Sequence, residues 1–114
     1  MSRITTHVLD TARGEPARGL IVTLQRFDDH GVPTAFAPQT TDDDGRARGL
    51  APDDETLDVG RYRLSFDTAA YFLAQGVIAF FPVVHVDFEV NDAARDYHVP
   101  LLLSPFGYST YRGS

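Results

Sequence analysis

Gly60-Arg61-Tyr62-Arg63-Leu64-Ser65-Phe66 is the stretch whose reading settles the fold class. Tyr62, Leu64 and Phe66 alternate with Arg61, Arg63 and Ser65, the period of two that sends successive side chains to opposite faces of a strand. The apolar set therefore faces a core and the polar set faces away from it. Working outward, Phe80 to Val90 repeats the pattern after an interruption at Pro82, with Val84, Val86, Phe88 and Val90 on one face and His85, Asp87 and Glu89 on the other. Between these strands Asp67 is placed to N-cap a short helix, Thr68 to Gln75, which Gly76 ends. Two helical turns do not hold by themselves in water, so this helix must lean on the sheet.

Upstream, Gly19 to Phe27 places Leu20, Val22 and Leu24 inward and Thr23, Gln25 and Phe27 opposite. Ile4 to Asp10 places Ile4, Thr6 and Val8 on one face and Thr5, His7 and Leu9 on the other, then runs into the turn-rich Asp10 to Pro16. Asp28-Asp29-His30-Gly31 is a hairpin turn signal, and a weaker strand follows over Thr34 to Thr41. Ala51 to Glu55 reads as an acidic loop, Asn91-Asp92 as a turn, and Tyr97 to Ser104 as the last strand. Seven or eight short strands and one helix, without repeats or linkers, predict an antiparallel sandwich in a single domain over residues 1–114.

A chain of 114 residues has a real core but little room for a cleft of its own, so a pocket between subunits is expected. There is no cysteine, which removes disulfides and thiolate metal sites. The first residues lack the apolar centre of a signal peptide and no apolar run reaches membrane-spanning length, so a soluble, cytoplasmic protein without a membrane partner is expected. A net charge of −6 argues against a nucleic-acid partner. All ten cationic residues are arginine, whose planar donor fork suits planar, oxygen-rich anions.

Thr41-Asp42-Asp43-Asp44-Gly45-Arg46 looks superficially like a calcium loop. With Gly45 at the sixth position, the first would be Thr40 and the twelfth Ala51, neither of them the acidic ligand required. The segment is instead an Asp-Gly turn with Arg46 just beyond it. Of the four histidines, His30 falls in a turn and His85 on a polar strand face. His7 and His98 each lie within a strand pattern, where a group that titrates near neutrality is held in place. No third ligand stands at zinc spacing, and there is no nucleophile elbow, phosphate-cradling glycine loop or cysteine nucleophile.

The chain's end runs Tyr97-His98-Val99-Pro100-Leu101-Leu102-Leu103-Ser104-Pro105, then Phe106-Gly107-Tyr108-Ser109-Thr110 and Tyr111-Arg112-Gly113-Ser114. Together with Thr6-His7-Val8-Leu9-Asp10, Asp44-Gly45-Arg46, Gly60-Arg61-Tyr62-Arg63-Leu64 and Tyr71-Phe72 through Phe80-Phe81-Pro82, it resembles the transthyretin-related 5-hydroxyisourate hydrolases. The likeness covers essentially the whole chain, and the terminal Tyr-Arg-Gly-Ser separates these hydrolases from the hormone-carrying transthyretins. Phe106 stands where the family often has tyrosine.

That resemblance implies a mainly β, transthyretin-like antiparallel sandwich of two four-stranded sheets with one short helix. It implies a homotetramer, a dimer of dimers, with sites in a channel between dimers. The implied activity is hydrolysis of 5-hydroxyisourate to 2-oxo-4-hydroxy-4-carboxy-5-ureidoimidazoline in urate catabolism, without metal or cofactor. The family's catalytic positions fall on His7, Arg46 and His98, and Tyr111, Arg112, Gly113 and Ser114 line its site. On this reading one histidine activates water, the other orients substrate or protonates the leaving nitrogen, and Arg46 stabilises the oxyanion; which histidine is the base stays open. Arg112 or the Ser114 carboxylate is available to orient an imidazole, and Arg48 is the natural control for Arg46. The alternative is a non-enzymatic carrier of small aromatic ligands in the same channel.

Overall fold

The computed structural model describes residues 3–52 and 57–113. In chain order its strands are β1 (Ile4–Asp10), β2 (Glu15–Pro16), β3 (Ile21–Phe27), β4 (Pro33–Ala35), β5 (Gln39–Thr40), β6 (Arg46–Ala47) and β7 (Gly60–Phe66). After helix α1 (Thr68–Leu73) come β8 (Val84–Val90), β9 (Tyr97–His98), β10 (Leu101–Ser104) and β11 (Gly107–Thr110). In one sheet β1 pairs with β2 and β6, and with β9 and β10, while β11 lies beyond β10. In the other, β4 and β5 flank β3, followed by β7 and β8. Each sheet is thus four strand positions wide, the short segments sharing a position in pairs, as the resemblance implied.

The alternation that marked the strands is the alternation that fills the core. Ile4 and Val8, Leu20, Val22 and Leu24, Tyr62, Leu64 and Phe66, and Val84, Val86 and Val90 are all buried. Each such side chain contributes roughly 1.5–3 kcal/mol by leaving water. Helix α1 lays Tyr71 and Phe72 against this core. Asp67 caps it, its carboxylate accepting the Ala70 N–H at 3.3 Å. The helix closes as the Gly76 N–H bonds to Leu73 and the Val77 N–H to Phe72, with Gly76 at φ +72°. That left-handed turn is where glycine ends helices without steric cost.

Several expected boundaries move. The strand expected over Thr34–Thr41 splits into β4 and β5, and the one over Phe80–Val90 begins only at Val84. The Phe80 N–H is drawn instead to the Pro105 carbonyl at 2.7 Å. Tyr97–Ser104 breaks at Val99-Pro100 into β9 and β10, since proline offers no ladder donor. The strands also run past Ser104: β11 folds back on β10, Ser104 opposite Gly107 and Leu101 opposite Thr110. Glu15–Pro16, expected as turn, forms a short antiparallel pair with Asp10 and Leu9. The β1 pairings with β9 and β10 are parallel. Of the acidic loop, residues 53–56 lie outside the described residues. Among the described residues no helix is long and apolar enough to cross a membrane.

Among the described residues four polar side chains sit in the core, each with a partner. Thr6 Oγ1 donates to the Val99 carbonyl at 2.6 Å, and Thr68 Oγ1 to that of Phe81 at 2.6 Å. Thr41 Oγ1 donates to Ala17 and accepts from Leu20. Asp10, only 1% exposed, accepts the Arg13 N–H and, at 2.8 Å, the Tyr71 hydroxyl. Burial, seconded by that bond, pushes the Tyr71 phenol up to about 12, so it remains a donor. Tyr71→Phe keeps the ring and strands a buried carboxylate oxygen, so it should lower stability by about 1–3 kcal/mol. A thermal melt unchanged from the parent would show that this bond contributes nothing net.

Candidate active site

Sheet register gathers the site. Strand β1 turns Thr5 and His7 to its outer, half-buried face. On one side the antiparallel ladder sets Arg46 opposite His7. On the other the parallel ladder sets His98 opposite Thr5. Neighbouring strands lie roughly 4.8 Å apart, so these pairings bring residues remote in sequence onto one patch. A cleft of about 510 Å³ opens there, its walls including Thr5, Arg46, Arg48, Asp96, His98 and Gly113.

The Asp42–Gly45 turn aims Arg46. Asp42 accepts the N–H groups of Asp44 at 2.9 Å and Arg46 at 3.0 Å through one carboxylate oxygen. The Arg46 N–H above all, then the Asp44 N–H and the Arg48 and Arg46 charges, hold Asp42 below its ordinary carboxylate range against partial desolvation. Gly45, at φ +77°, is seated on β1 so closely that a Cβ there would collide with the Val8 carbonyl. The Val8 N–H in turn bonds the Gly45 carbonyl at 2.7 Å. Only glycine fits this contact, and it ties the turn to the strand that carries His7.

Arg48 leans back towards Asp42, 3.7 Å away. Among the described residues no acceptor is hydrogen-bonded to the Arg46 guanidinium. Arg48 lines the same cleft as Arg46 two residues on, so Arg48→Ala cannot serve as a neutral control.

The two histidines are held differently. His7 Nε2 lies 2.8 Å from the Asp44 carbonyl. A carbonyl only accepts, so Nε2 carries a proton. His7 flanks the cleft beside Arg46 rather than forming its wall. His98 Nδ1 lies 2.8 Å from Thr5 Oγ1. Burial first, then Arg46 and His7 nearby, push the His98 imidazole below its ordinary pKa, opposed in part by the Thr5 backbone. At neutral pH His98 is thus an uncharged imidazole beside an arginine.

Tyr111, Arg112 and Gly113 do not share one position. Gly113 abuts His98: its N–H donates to the His98 carbonyl at 2.8 Å. Tyr111 and Arg112 lie around the corner, in a second groove of about 320 Å³ that also borders His98 and the edge of β8. The Arg112 guanidinium carbon stands 5.0 Å from the centroid of the Tyr97 ring, a cation–π contact. Ser114 lies outside the described residues. Among the described residues no three of His, Cys, Asp and Glu are grouped to hold a metal ion. His30 and His85 are exposed, the first in the β3–β4 turn and the second paired with Ser65 at 2.8 Å. Thr5 and Arg48 had not been singled out as site residues. Their one legible signal is a spacing of two from His7 and from Arg46, the period that puts residues of an extended chain on one side.

The sequence profile described as the HIUase/Transthyretin family matches residues 4–113. The chain belongs to that family. A curated relative, the 5-hydroxyisourate hydrolase of Caulobacter vibrioides, is 49% identical over an alignment that covers all of both chains. Among solved structures, Klebsiella pneumoniae 5-hydroxyisourate hydrolase superposes with a TM-score of 0.85 at 35% identity, covering 100% of each chain. Sea bream transthyretin in complex with thyroxine superposes at 0.89 with 32% identity, covering 97% of this chain and 94% of that one. The family's shared backbone is thus compatible with both an enzyme and a ligand carrier. The side chains in the cleft have to distinguish them.

Proposed function

We propose that residues 1–114 act as one domain that hydrolyses 5-hydroxyisourate to 2-oxo-4-hydroxy-4-carboxy-5-ureidoimidazoline in urate catabolism. Its full-length identity to a protein of that name supports the reading. The observation that carries it is the half-buried His98 imidazole lining one cleft with the Arg46 guanidinium. A passive carrier has no need of a base beside an anion-binding group.

In this mechanism His98 Nε2 takes a proton from water as the oxygen attacks the C6 carbonyl of the substrate. Arg46 holds the carbonyl oxygen as it becomes an oxyanion, its donors already in place. The bond from C6 to the ring nitrogen then breaks. The His98 imidazolium returns its proton to that nitrogen, so the base ends as it began; C6 stays on the opened product as a carboxylic acid, which then gives its proton to solvent. His7, its Nε2 committed to Asp44, presents the Nδ1 lone pair to a substrate N–H and orients the ring. Gly113 supports His98, while Tyr111, Arg112 and the Ser114 carboxylate border the bound substrate. No metal or cofactor takes part in these steps.

The test is ultraviolet decay of freshly made 5-hydroxyisourate. Catalysed decay well above the spontaneous rate is expected. Loss no faster than spontaneous, with tight binding of an aromatic ligand such as thyroxine, would establish the carrier reading instead.

The active form in this proposal is a homotetramer, a dimer of dimers. Ile78, Phe80 and Phe106 are exposed at 83%, 69% and 77%, and Phe80, Phe81 and Tyr108 form edge-to-face ring pairs at the surface. Apolar side chains gathered in this way favour a protein partner over water. Strands β8 and β11 are each the last in their sheet, leaving ladder groups open to a second copy. Sedimentation should report a tetramer. A fully active monomer would contradict a site shared between subunits.

A further inference from the structure

His98 is clamped on both sides. Its flanking main chain is laced to β1, with the Tyr97 N–H on the Arg3 carbonyl at 2.7 Å and the Val99 N–H on the Thr5 carbonyl at 2.9 Å. Beside the ring lies Gly113, where a Cβ would stand 2.5 Å from His98 Cδ2 and 3.2 Å from Cγ. Thr5 Oγ1, the register partner, meets Nδ1 at 2.8 Å. The imidazole therefore has one seat, and the only choice left to it is which nitrogen carries the proton.

That choice decides whether His98 can act as a base towards the cleft. A neutral imidazole has one N–H and one lone pair. With the proton on Nε2, the lone pair points at Thr5 and the cleft meets a donor. With the proton on Nδ1, the lone pair on Nε2 is free for water. A threonine hydroxyl offers two lone pairs and a rotatable hydrogen, so it can accept from Nδ1–H. It can go on accepting unchanged when the ring becomes imidazolium.

We infer that Thr5 is a positioning residue for hydrolysis: its hydroxyl accepts the Nδ1–H of His98 and so keeps the Nε2 lone pair directed to the cleft. This rests on the reading of His98 as the base. Thr5 acts through His98, as a residue that fixes a tautomer acts in other base-catalysed hydrolyses.

The experiment reads the tautomer and the rate separately. In protein labelled with 15N, the His98 ring signals, assigned by their loss in His98→Ala, should show the Nδ1–H form at neutral pH. Thr5→Val keeps the β-branched shape and removes the hydroxyl; it should shift His98 towards the Nε2–H form. It should also lower kcat/KM by about tenfold or more, the equivalent of at least one net hydrogen bond. Thr5→Ser should restore both, and Thr5→Ala serves if the valine variant folds poorly.

An Nε2–H signal in the parent protein would overturn the inference. So would a Thr5→Val protein that loses rate with an unchanged tautomer, because that describes a merely structural role. If His98→Ala loses its rate and Thr5→Val does not, the Thr5 role falls and the base assignment stands. If His98→Ala keeps its rate, the base assignment itself falls.

Discussion

Replacing His98 by alanine should lower kcat/KM for 5-hydroxyisourate by about 10²–10⁴-fold, the span of a lost general base. The sandwich should remain folded, because His98 is only half-buried and its β9 backbone bonds to β1 do not involve the side chain. Arg46→Ala should cost a comparable factor, about 10²–10³-fold, as one oxyanion donor is removed. Groups that serve a single transition state are not additive, so the double variant should cost little more than the worse single one.

The pH profile gives this prediction a sign. The base works unprotonated, and burial, Arg46 and His7 all lower its pKa. The plateau of kcat/KM should therefore extend below the ordinary histidine value of about 6.5 and fall only as pH drops through the depressed value. Removing the Arg46 charge removes one cause of the depression, so in Arg46→Gln the His98 titration should move to higher pH. A parent acid limb above the ordinary value, or one that Arg46→Gln leaves in place, would count against His98 as the base. A variant lacking both His7 and His98 with near-normal turnover would overturn the whole assignment.

The second large effect is expected at the chain's end. Deleting Tyr111 to Ser114 should abolish most turnover while leaving the fold intact. Strand β11 ends at Thr110, whose hydroxyl still donates to the Pro100 carbonyl at 2.6 Å. What is lost is the Gly113 bridge to His98 and the wall formed by Tyr111 and Arg112. Gly113→Ala isolates the first of these. The added methyl collides with the His98 ring, and relieving such overpacking costs about 1–3 kcal/mol or moves the ring out of its seat. If the Ser114 carboxylate borders the substrate as proposed, a C-terminal tag, which turns it into an amide, should hurt far more than an N-terminal one. Equal rates for N-tagged, C-tagged and truncated proteins would mean that the tail plays no part in the site.

Much of this protein is legible along the chain. The alternation of Tyr62, Leu64 and Phe66 with arginine and serine, and of Ile4, Thr6 and Val8 with Thr5 and His7, is a local period that needs no partner strand to be read. The Asp67 cap, the Gly76 stop and the Asp42–Gly45 turn are equally local, because each depends on bonds between residues a few positions apart. Resemblance carried the three residues His7, Arg46 and His98; the family match bears out the family, and the roles of the three belong to the proposal.

Tertiary structure decided the rest. No local period says that β1 runs parallel to β9 and β10, or that Phe106 caps a turn into an eleventh strand. Thr5 meets His98 across 93 positions, and Arg48 shares the cleft with Arg46. Tyr111, Arg112 and Gly113, consecutive in sequence, are divided between two grooves that both border His98. These are facts of register. A strand's own sequence determines which of its faces is buried, but which neighbour stands opposite each residue is settled by burying all the apolar faces at once.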